Sequence, residues 1–275
     1  MSHTLPLLIG AAMPTPFLAQ YRDWLLADQR DLEIQDFAAP FILDSDLWKQ
    51  SVATIKTQLD GYTGRMGLHA PFWSLDLGAY DPKIRAVVQD RFAQTLDIAG
   101  EIGATHMVIH SPLQFLGAPD TLMGSKLFDR DLFEVVHETL APVVAQAASI
   151  GLTLVIENIF DHHPLMLTAL VRSFESEYVR QSLDTGHAYI NYTQGAPAVD
   201  YWVKTAGELL GHVHLQDTDG YSDRHWTIGD GKIDWRCLFA ALAELPQQPR
   251  LVLELADNTD IPRAMRWFSE RGLAR

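Results

Sequence analysis

The stretch HVHLQDTDGYSDRHWTIGDGKID, residues His212 to Asp234, decides the reading of the chain. It opens as a short strand, HVHLQ, in which His212 and His214 stand two apart and so point to one face. A polar turn follows. Asp223-Arg224-His225 then sets a carboxylate and an imidazole two apart again. The stretch closes on Gly229-Asp230-Gly231, where glycine permits tight backbone turns. His and Asp at this density on a strand end and its loop suit a divalent metal site. Similar fragments elsewhere in the chain give the stretch its weight.

Working outward, short apolar runs alternate with longer helical patterns. Strands are expected at 5–13, 32–37, 66–70, 106–110, 152–158, 180–184, 212–216 and 250–255. Helices are expected at about 15–28, from Ser45 as N-cap to about Leu59, and from Pro82 at a first helical position. A longer loop with Pro112, Gly117, Pro119 and Gly124 precedes a helix over 131–150. Further helices are expected near 164–173, near 199–210, over 234–245 and over 261–273. Eight strand–helix alternations in a chain of 275 residues argue for an α/β protein, a single (β/α)8 TIM barrel over residues 1–275. A doubly wound open sheet is the alternative, but no Gly-rich phosphate loop follows the first strand to favour it.

On that map His69, His110, Glu157 and Asp184 close strands three to six. His214 lies near the end of strand seven and Glu254 near the end of strand eight. All six stand at the C-terminal strand ends, where catalytic residues of this fold gather. His187, Asp223 and His225 lie in the loops that follow. Glu157 and Glu254 follow apolar residues on strands expected to be buried on both faces. A carboxylate there must be paired, protonated or bound to metal. Few basic residues occupy neighbouring strand ends, so metal is favoured over an internal salt bridge. Asp184 has a competing reading as a helix N-cap with His187 solvated. His212 reads as a core group or a support for His214 rather than a ligand. His106, His137, His162 and His163 read as surface residues. Phe72, Trp73 and Trp226 are candidates for a hydrophobic lid or sugar-stacking wall.

Bulk properties narrow the function. Near half the residues are apolar (47%), enough for one large core. Formal net charge is −14, from 21 Lys and Arg against 35 Asp and Glu, so a polyphosphate partner is disfavoured. The N-terminal apolar run is too short for an export signal, and no run approaches membrane-spanning length. The single cysteine, Cys237, rules out an intrachain disulfide and reads as a small core residue of a helix. A soluble, cytoplasmic protein is the expectation.

The ordered series His69, His110, Glu157-Asn158, Asp184-Thr-Gly-His187, His214-Leu-Gln-Asp217, Asp223-Arg-His225 with Ile-Gly-Asp-Gly after it, and Glu254 resembles the xylose isomerase-like barrel superfamily. That group holds endonuclease IV, the ketose 3-epimerases, and inosose dehydratase-like and hydroxypyruvate isomerase-like enzymes. Similarity to endonuclease IV implies a trinuclear zinc site. His69, His110 and Glu157 would hold one ion, and Glu157, Asp184, His214 and Glu254 a second. His187, Asp223 and His225 would hold a third, in a phosphoesterase. Similarity to the epimerases and isomerases implies one divalent ion, manganese, cobalt or magnesium, on Glu157, Asp184, His214 and Glu254. There Glu157 and Glu254 would shuttle a proton, and His187 would hold a substrate oxygen. The epimerase pattern places an arginine soon after the strand-seven motif, whereas here Asp219 and Gly220 follow and the nearest is Arg224. The acidic charge weighs for a small sugar or polyol-type substrate and against DNA. A barrel that binds without catalysing is disfavoured because every ligand type is in place. Barrels of this kind often pair, so a homo-oligomer accords with the resemblance, although no interface is legible.

Overall fold

The eight apolar runs become eight parallel strands that close on themselves in chain order, with β8 pairing back to β1. In this computed structural model the structure describes residues 7–113 and 131–275. The start of the expected first strand, and Gly117, Pro119 and Gly124 of the expected long loop, lie outside those residues. The strands are β1 Gly10–Met13, β2 Leu32–Ile34, β3 Met66–His69, β4 His106–His110, β5 Thr153–Glu157, β6 Val179–Asp184, β7 Leu210–Leu215 and β8 Arg250–Leu253. This is the (β/α)8 barrel expected from the alternation.

Register sets the level of the chemistry. In the ladders His110 is opposite Glu157, and Asp184 is opposite His214. Residues four apart on one strand share a face, so His106 and His110 both leave β4 on one side. The apolar side chains on the other faces pack against the helices, where Trp202, Phe92 and Phe268 are among the largest fully buried groups.

Helix boundaries follow the expected caps closely. Asp81 accepts from Lys83 N ahead of Pro82, at the start of the helix Pro82–Ile102. Asp131 accepts from Phe133 N at the start of Leu132–Ser149. Ser45 lies one residue early: the helix runs Leu47–Gln58 with Asp46 at its N-cap position, and Ser45 Oγ accepts from Leu47 N at 3.2 Å. The expected helices do not include Pro40–Leu43 or, beyond the reading of Asp184 as a cap, Thr185–Thr193. Thr185–Thr193 follows β6 directly, with Asp184 as its N-cap. Its sequence, TGHAYINYT, carries glycine, threonines and aromatics rather than strong helix formers.

Three expectations are corrected. His106 is fully buried rather than on the surface, because it begins a strand on the same inward face as His110. Cys237 is exposed. Its helix, Trp235–Ala243, buries Trp235, Leu238, Phe239, Ala241 and Leu242, and Cys237 falls on the opposite face. The expected helix near 199–210 ends at Ala206, tightens to a 3-10 turn over Gly207–Leu209 and gives way to β7. Among the described residues, no helix is long and apolar enough to cross a membrane.

The loop after β7 is held by one buried carboxylate. Asp217 accepts from Thr218 N (3.0 Å), Gly229 N (2.9 Å), Ile233 N (3.3 Å) and Trp235 Nε1 (3.0 Å). Its backbone also pairs in both directions with Trp226. Gly229 has φ +93°, and a Cβ there would stand 2.1 Å from Trp267 Nε1, so the Gly-Asp-Gly turn needs its first glycine. This frame fixes the segment that carries Asp223 and His225.

Candidate metal centre and active site

The nine residues singled out at the strand ends and loops meet at the C-terminal mouth of the barrel. Glu157, Asp184 and His214 are essentially inaccessible, and His69 is buried beside them. His214 is the hub. Its Nδ1 lies 3.1 Å from Glu157 Oε2 and 3.3 Å from Glu254 Oε2. His69 Nε2 is 3.8 Å from Glu157 Oε2 and 3.3 Å from His110 Nε2. His187 Nδ1 is 3.4 Å from Glu157 Oε1, while its Nε2 is 3.2 Å from Asp223 Oδ2. Asp223 Oδ2 in turn lies 3.0 Å from His225 Nε2.

The backbone decides which nitrogen each ring offers. His69 Nδ1 lies 2.7 Å from Ala70 O, His187 Nδ1 3.0 Å from Asn158 O, and His225 Nδ1 3.2 Å from Glu254 O. A carbonyl only accepts, so these nitrogens carry hydrogen and leave Nε2 turned to the site. His225 holds this pose with φ +48°, a conformation uncommon outside glycine, and its N–H donates to Gln216 Oε1 at 3.0 Å. Asp184 does two jobs. One oxygen accepts from His187 N at 2.6 Å, as the helix cap, while the group stays inside the cluster. The expected N-cap reading therefore holds, but His187 is not solvated: its side chain is 12% exposed.

The electrostatics are those of a site short of positive charge. Among the described residues, no Lys or Arg forms an ion pair with Glu157, Asp184, Asp223 or Glu254. Burial alone would push the Glu157 carboxyl up, but the facing imidazoles of His214 and His187 hold it well below the usual range. Burial pushes Asp184 up to about 6, with Glu157 adding to the shift and His187 opposing it. Burial would likewise lower His214 and His187, yet the surrounding carboxylates raise both well above an ordinary imidazole. His225 is raised to about 9 against its burial, by its hydrogen bond to Asp223 and by Glu254. Burial takes His110 down to about 3.

These residues fit a divalent cation. Glu157 Oε2 and His214 Nδ1 are buried and 3.1 Å apart, yet neither has an aligned hydrogen bond. They face a common point rather than each other. Among the described residues, four donor groups that include site residues bring one atom from each member within 4.8 Å: His69, His110 and Glu157; Glu157, Asp184 and His214; His187, Asp223 and His225; and Glu33, His214 and Glu254. Imidazole with carboxylate is a donor set for zinc, manganese or cobalt, and carboxylate-rich subsets suit magnesium.

Trp73 and Trp226 are not in the cluster. Trp73 is 69% exposed and packs against Phe72, whose ring stacks on His110 at 4.2 Å. Trp226 stands on the rim with Arg224 over its ring at 5.4 Å. Four further groups were missed in the sequence. Gln216 Nε2 donates to Asp223 Oδ1 (2.7 Å) and approaches Asp184 Oδ1 (3.2 Å), tying the two carboxylates. Gly186 makes room for it, since a Cβ there would lie 2.3 Å from Gln216 Cδ. Gln35 Nε2 donates to Glu254 Oε1 at 2.9 Å. Glu33 in β2 accepts from His214 Nε2 at 3.0 Å. A signal for Glu33 was present: it is a carboxylate within Leu-Glu-Ile, the situation that drew attention to Glu157.

Comparison with known proteins agrees with this architecture. The model of the xylose isomerase-like TIM barrel family matches residues 32–271. Uncharacterized protein MJ1311 of Methanocaldococcus jannaschii is 25% identical over 194 residues, covering 68% of this chain and 62% of the relative, so the chain spans under two thirds of that relative's length. Fructoselysine 3-epimerase of Escherichia coli O157:H7 is 25% identical over 223 residues, 75% of this chain and 71% of the relative. Among solved structures, the TTHB071 protein of Thermus thermophilus, soaked with ZnCl2, superposes with a TM-score of 0.74 at 26% identity. That match covers 95% of this chain and 96% of the other.

Proposed function

The chain belongs to the xylose isomerase-like TIM barrel family, and from that premise we propose that it is a divalent-metal-dependent isomerase or epimerase of a small sugar or polyol-type substrate. The observation that carries the reading is the placement of two carboxylates about one imidazole nitrogen. Glu157 and Glu254 lie 3.1 and 3.3 Å from His214 Nδ1, with no Lys or Arg ion-paired to either among the described residues. Glu157, Asp184, His214 and Glu254 are the residues assigned to hold the cation. Such a cation supplies a Lewis acid that fixes neighbouring substrate oxygens and acidifies the hydrogen on the carbon beside a carbonyl.

Glu157 enters from β5 and Glu254 from the end of β8, so one takes that hydrogen as a proton and the other returns one to the second face. His187 is assigned to a substrate oxygen. His69, His110, Asp223 and His225 surround the same space as further metal or substrate contacts. Trp73 and Trp226 supply a wall on the rim for the apolar face of a sugar ring. The similarity to fructoselysine 3-epimerase supports a sugar substrate. The net charge of −14 favours a small molecule over nucleic acid.

One observation favours a second reading. Three of the donor groups hold eight of the nine residues implied for a trinuclear zinc phosphoesterase of the endonuclease IV type, and the ninth, Glu254, groups with His214 and Glu33. Metal analysis of protein purified without chelator or metal-affinity tag separates the two. About one divalent ion per chain, with solvent deuterium entering a carbon-bound position of a ketose or inosose, is the expected result. About three zinc ions per chain, with phosphoester hydrolysis and no deuterium uptake, would replace the first reading by the second.

A further inference from the structure

Below the metal-facing layer the barrel encloses a second polar layer, at a depth where side chains of this fold are usually branched and apolar. Glu33, His106 and His212 are each 0% exposed there. Their contacts form a line. Ser182 Oγ lies 2.9 Å from His212 Nδ1, His212 Nε2 lies 3.1 Å from Glu33 Oε2, and Glu33 Oε1 lies 3.0 Å from His214 Nε2. No Lys or Arg is ion-paired with Glu33 among the described residues. A fully buried carboxylate is costly unless its oxygens are answered; here His214 answers Oε1, while Oε2 lies beside His212 Nε2 without an aligned hydrogen bond.

The line has a direction. Glu33 as a carboxylate only accepts, so His214 must present Nε2–H to it. That leaves Nδ1 as the atom turned towards Glu157 and Glu254. We propose that Glu33 is the positioning residue of this centre: it fixes the tautomer and the tilt of His214, while His212, held by Ser182, stands against its other oxygen. A carboxylate behind a ligating imidazole also makes the ring a stronger donor to a cation. The inference rests on the reading of His214 as a ligand given above.

The test is metal affinity of the full-length protein, measured by competition with a chromophoric chelator for Zn2+ and Mn2+. Glu33→Gln keeps the shape and an acceptor oxygen but removes the charge. Affinity is expected to fall by about 10- to 100-fold with the number of ions bound unchanged. Long-range 1H–15N spectra of the zinc-loaded wild type are expected to show His214 protonated at Nε2. Unchanged affinity with a lowered thermal midpoint would reduce Glu33 to a packing role and overturn the proposal. Loss of one whole equivalent of metal, with the rest bound as before, would also overturn it, because Glu33, His106 and His212 can bring donor atoms within 4.8 Å as a site of their own. If Glu33→Gln does not fold, His212→Gln stands in, with affinity expected to fall by at least about twofold through the same network. No change there overturns the inference. Failure of the metal reading on which the inference rests looks different: the unaltered protein would then bind no divalent ion.

Discussion

The two ends of this barrel solve the same problem with different cations. At the N-terminal end the buried Asp31, just before β2, meets Arg65 in a bidentate pair at 2.7 and 2.6 Å. Arg30 donates to the carbonyls of Ile9 and Arg275 at 2.8 and 2.9 Å, tying the first strand to the chain end. Burial lowers the Arg250 guanidinium to about 10, and its Nη2 donates to Thr105 Oγ1 at 3.3 Å. Guanidinium groups keep their charge at any working pH, so these contacts are permanent. At the C-terminal end, Glu157, Asp184 and Glu254 meet imidazoles instead. An imidazole can give up its proton and offer a lone pair, so positive charge at this end is exchangeable. One end of the fold is built to stay closed and the other to accept a cation.

The division is tested by removing carboxylates at the C-terminal end and a guanidinium at the N-terminal end. Glu157→Gln and Glu254→Gln are each expected to lower kcat on the true substrate by about 10³-fold, the loss of a general acid–base group, with little change in thermal midpoint. Full activity in either variant removes the proton-shuttle roles. At the other end, Arg65→Met leaves Asp31 buried and unpaired. The cost to stability is expected to be about 2 kcal/mol, below that of a fully buried pair because the Arg65 side chain is 44% exposed. Denaturant unfolding measures it, and metal affinity should not move. A drop in metal affinity with unchanged stability would mean that the two ends are not separable.

A buried acid near the site sharpens the contrast further. Asp161, in the loop after β5, accepts hydrogen bonds from neutral groups, Ser111 Oγ at 2.8 Å and Ile159 N at 2.9 Å. Burial pushes its carboxyl up to about 7 from an ordinary value of 3.8. Between those values the folded chain keeps a proton that the unfolded chain releases, so this group's contribution to stability falls as pH rises and levels off above the folded value. Relative to Asp161→Asn, the wild type is expected to lose about 2 kcal/mol of stability between pH 5 and pH 8. A difference that stays constant over that range would mean that Asp161 is ionised throughout.

How much of this was legible follows from where each group sits on a repeating unit. Strand-end residues such as His110, Glu157 and Asp184 were readable because the alternation fixes the barrel, and the barrel fixes which end carries chemistry. Residues mid-strand escaped. Glu33 lies in the middle of β2, Leu32–Ile34, away from the strand ends that the barrel marks for chemistry, so the signal of its apolar flanks was passed over. His106 was misplaced because a histidine at the start of a strand gives no local sign of its direction, although its spacing of four from His110 carries it. Gln216 stood in a quoted motif, but its contact with Asp184 and Asp223 depends on the Asp217-centred loop, a tertiary feature with no local period. Cys237 was misread because free cysteine is often buried, and helix phase outweighs that tendency here.

The smallest expected effect concerns the rim. Trp73 follows β3 and Trp226 follows β7, so they stand above the pocket on separate strands of the ring. Trp226 is fixed by its two backbone bonds to Asp217, at 2.9 and 3.0 Å, and is 36% exposed. Trp73 has Phe72 against its ring at 4.9 Å and is 69% exposed. A wall held in place loses less freedom when a substrate stacks on it. Trp226→Ala is therefore expected to raise KM by about fivefold, near 1 kcal/mol, with kcat unchanged, the pattern of uniform binding lost. Trp73→Ala should do less, because ordering its side chain offsets part of the contact. Equal effects would mean that the rim closes as one surface on the substrate. A fall in kcat for Trp73→Ala alone would mean that Phe72, no longer braced, lets the His110 ring move.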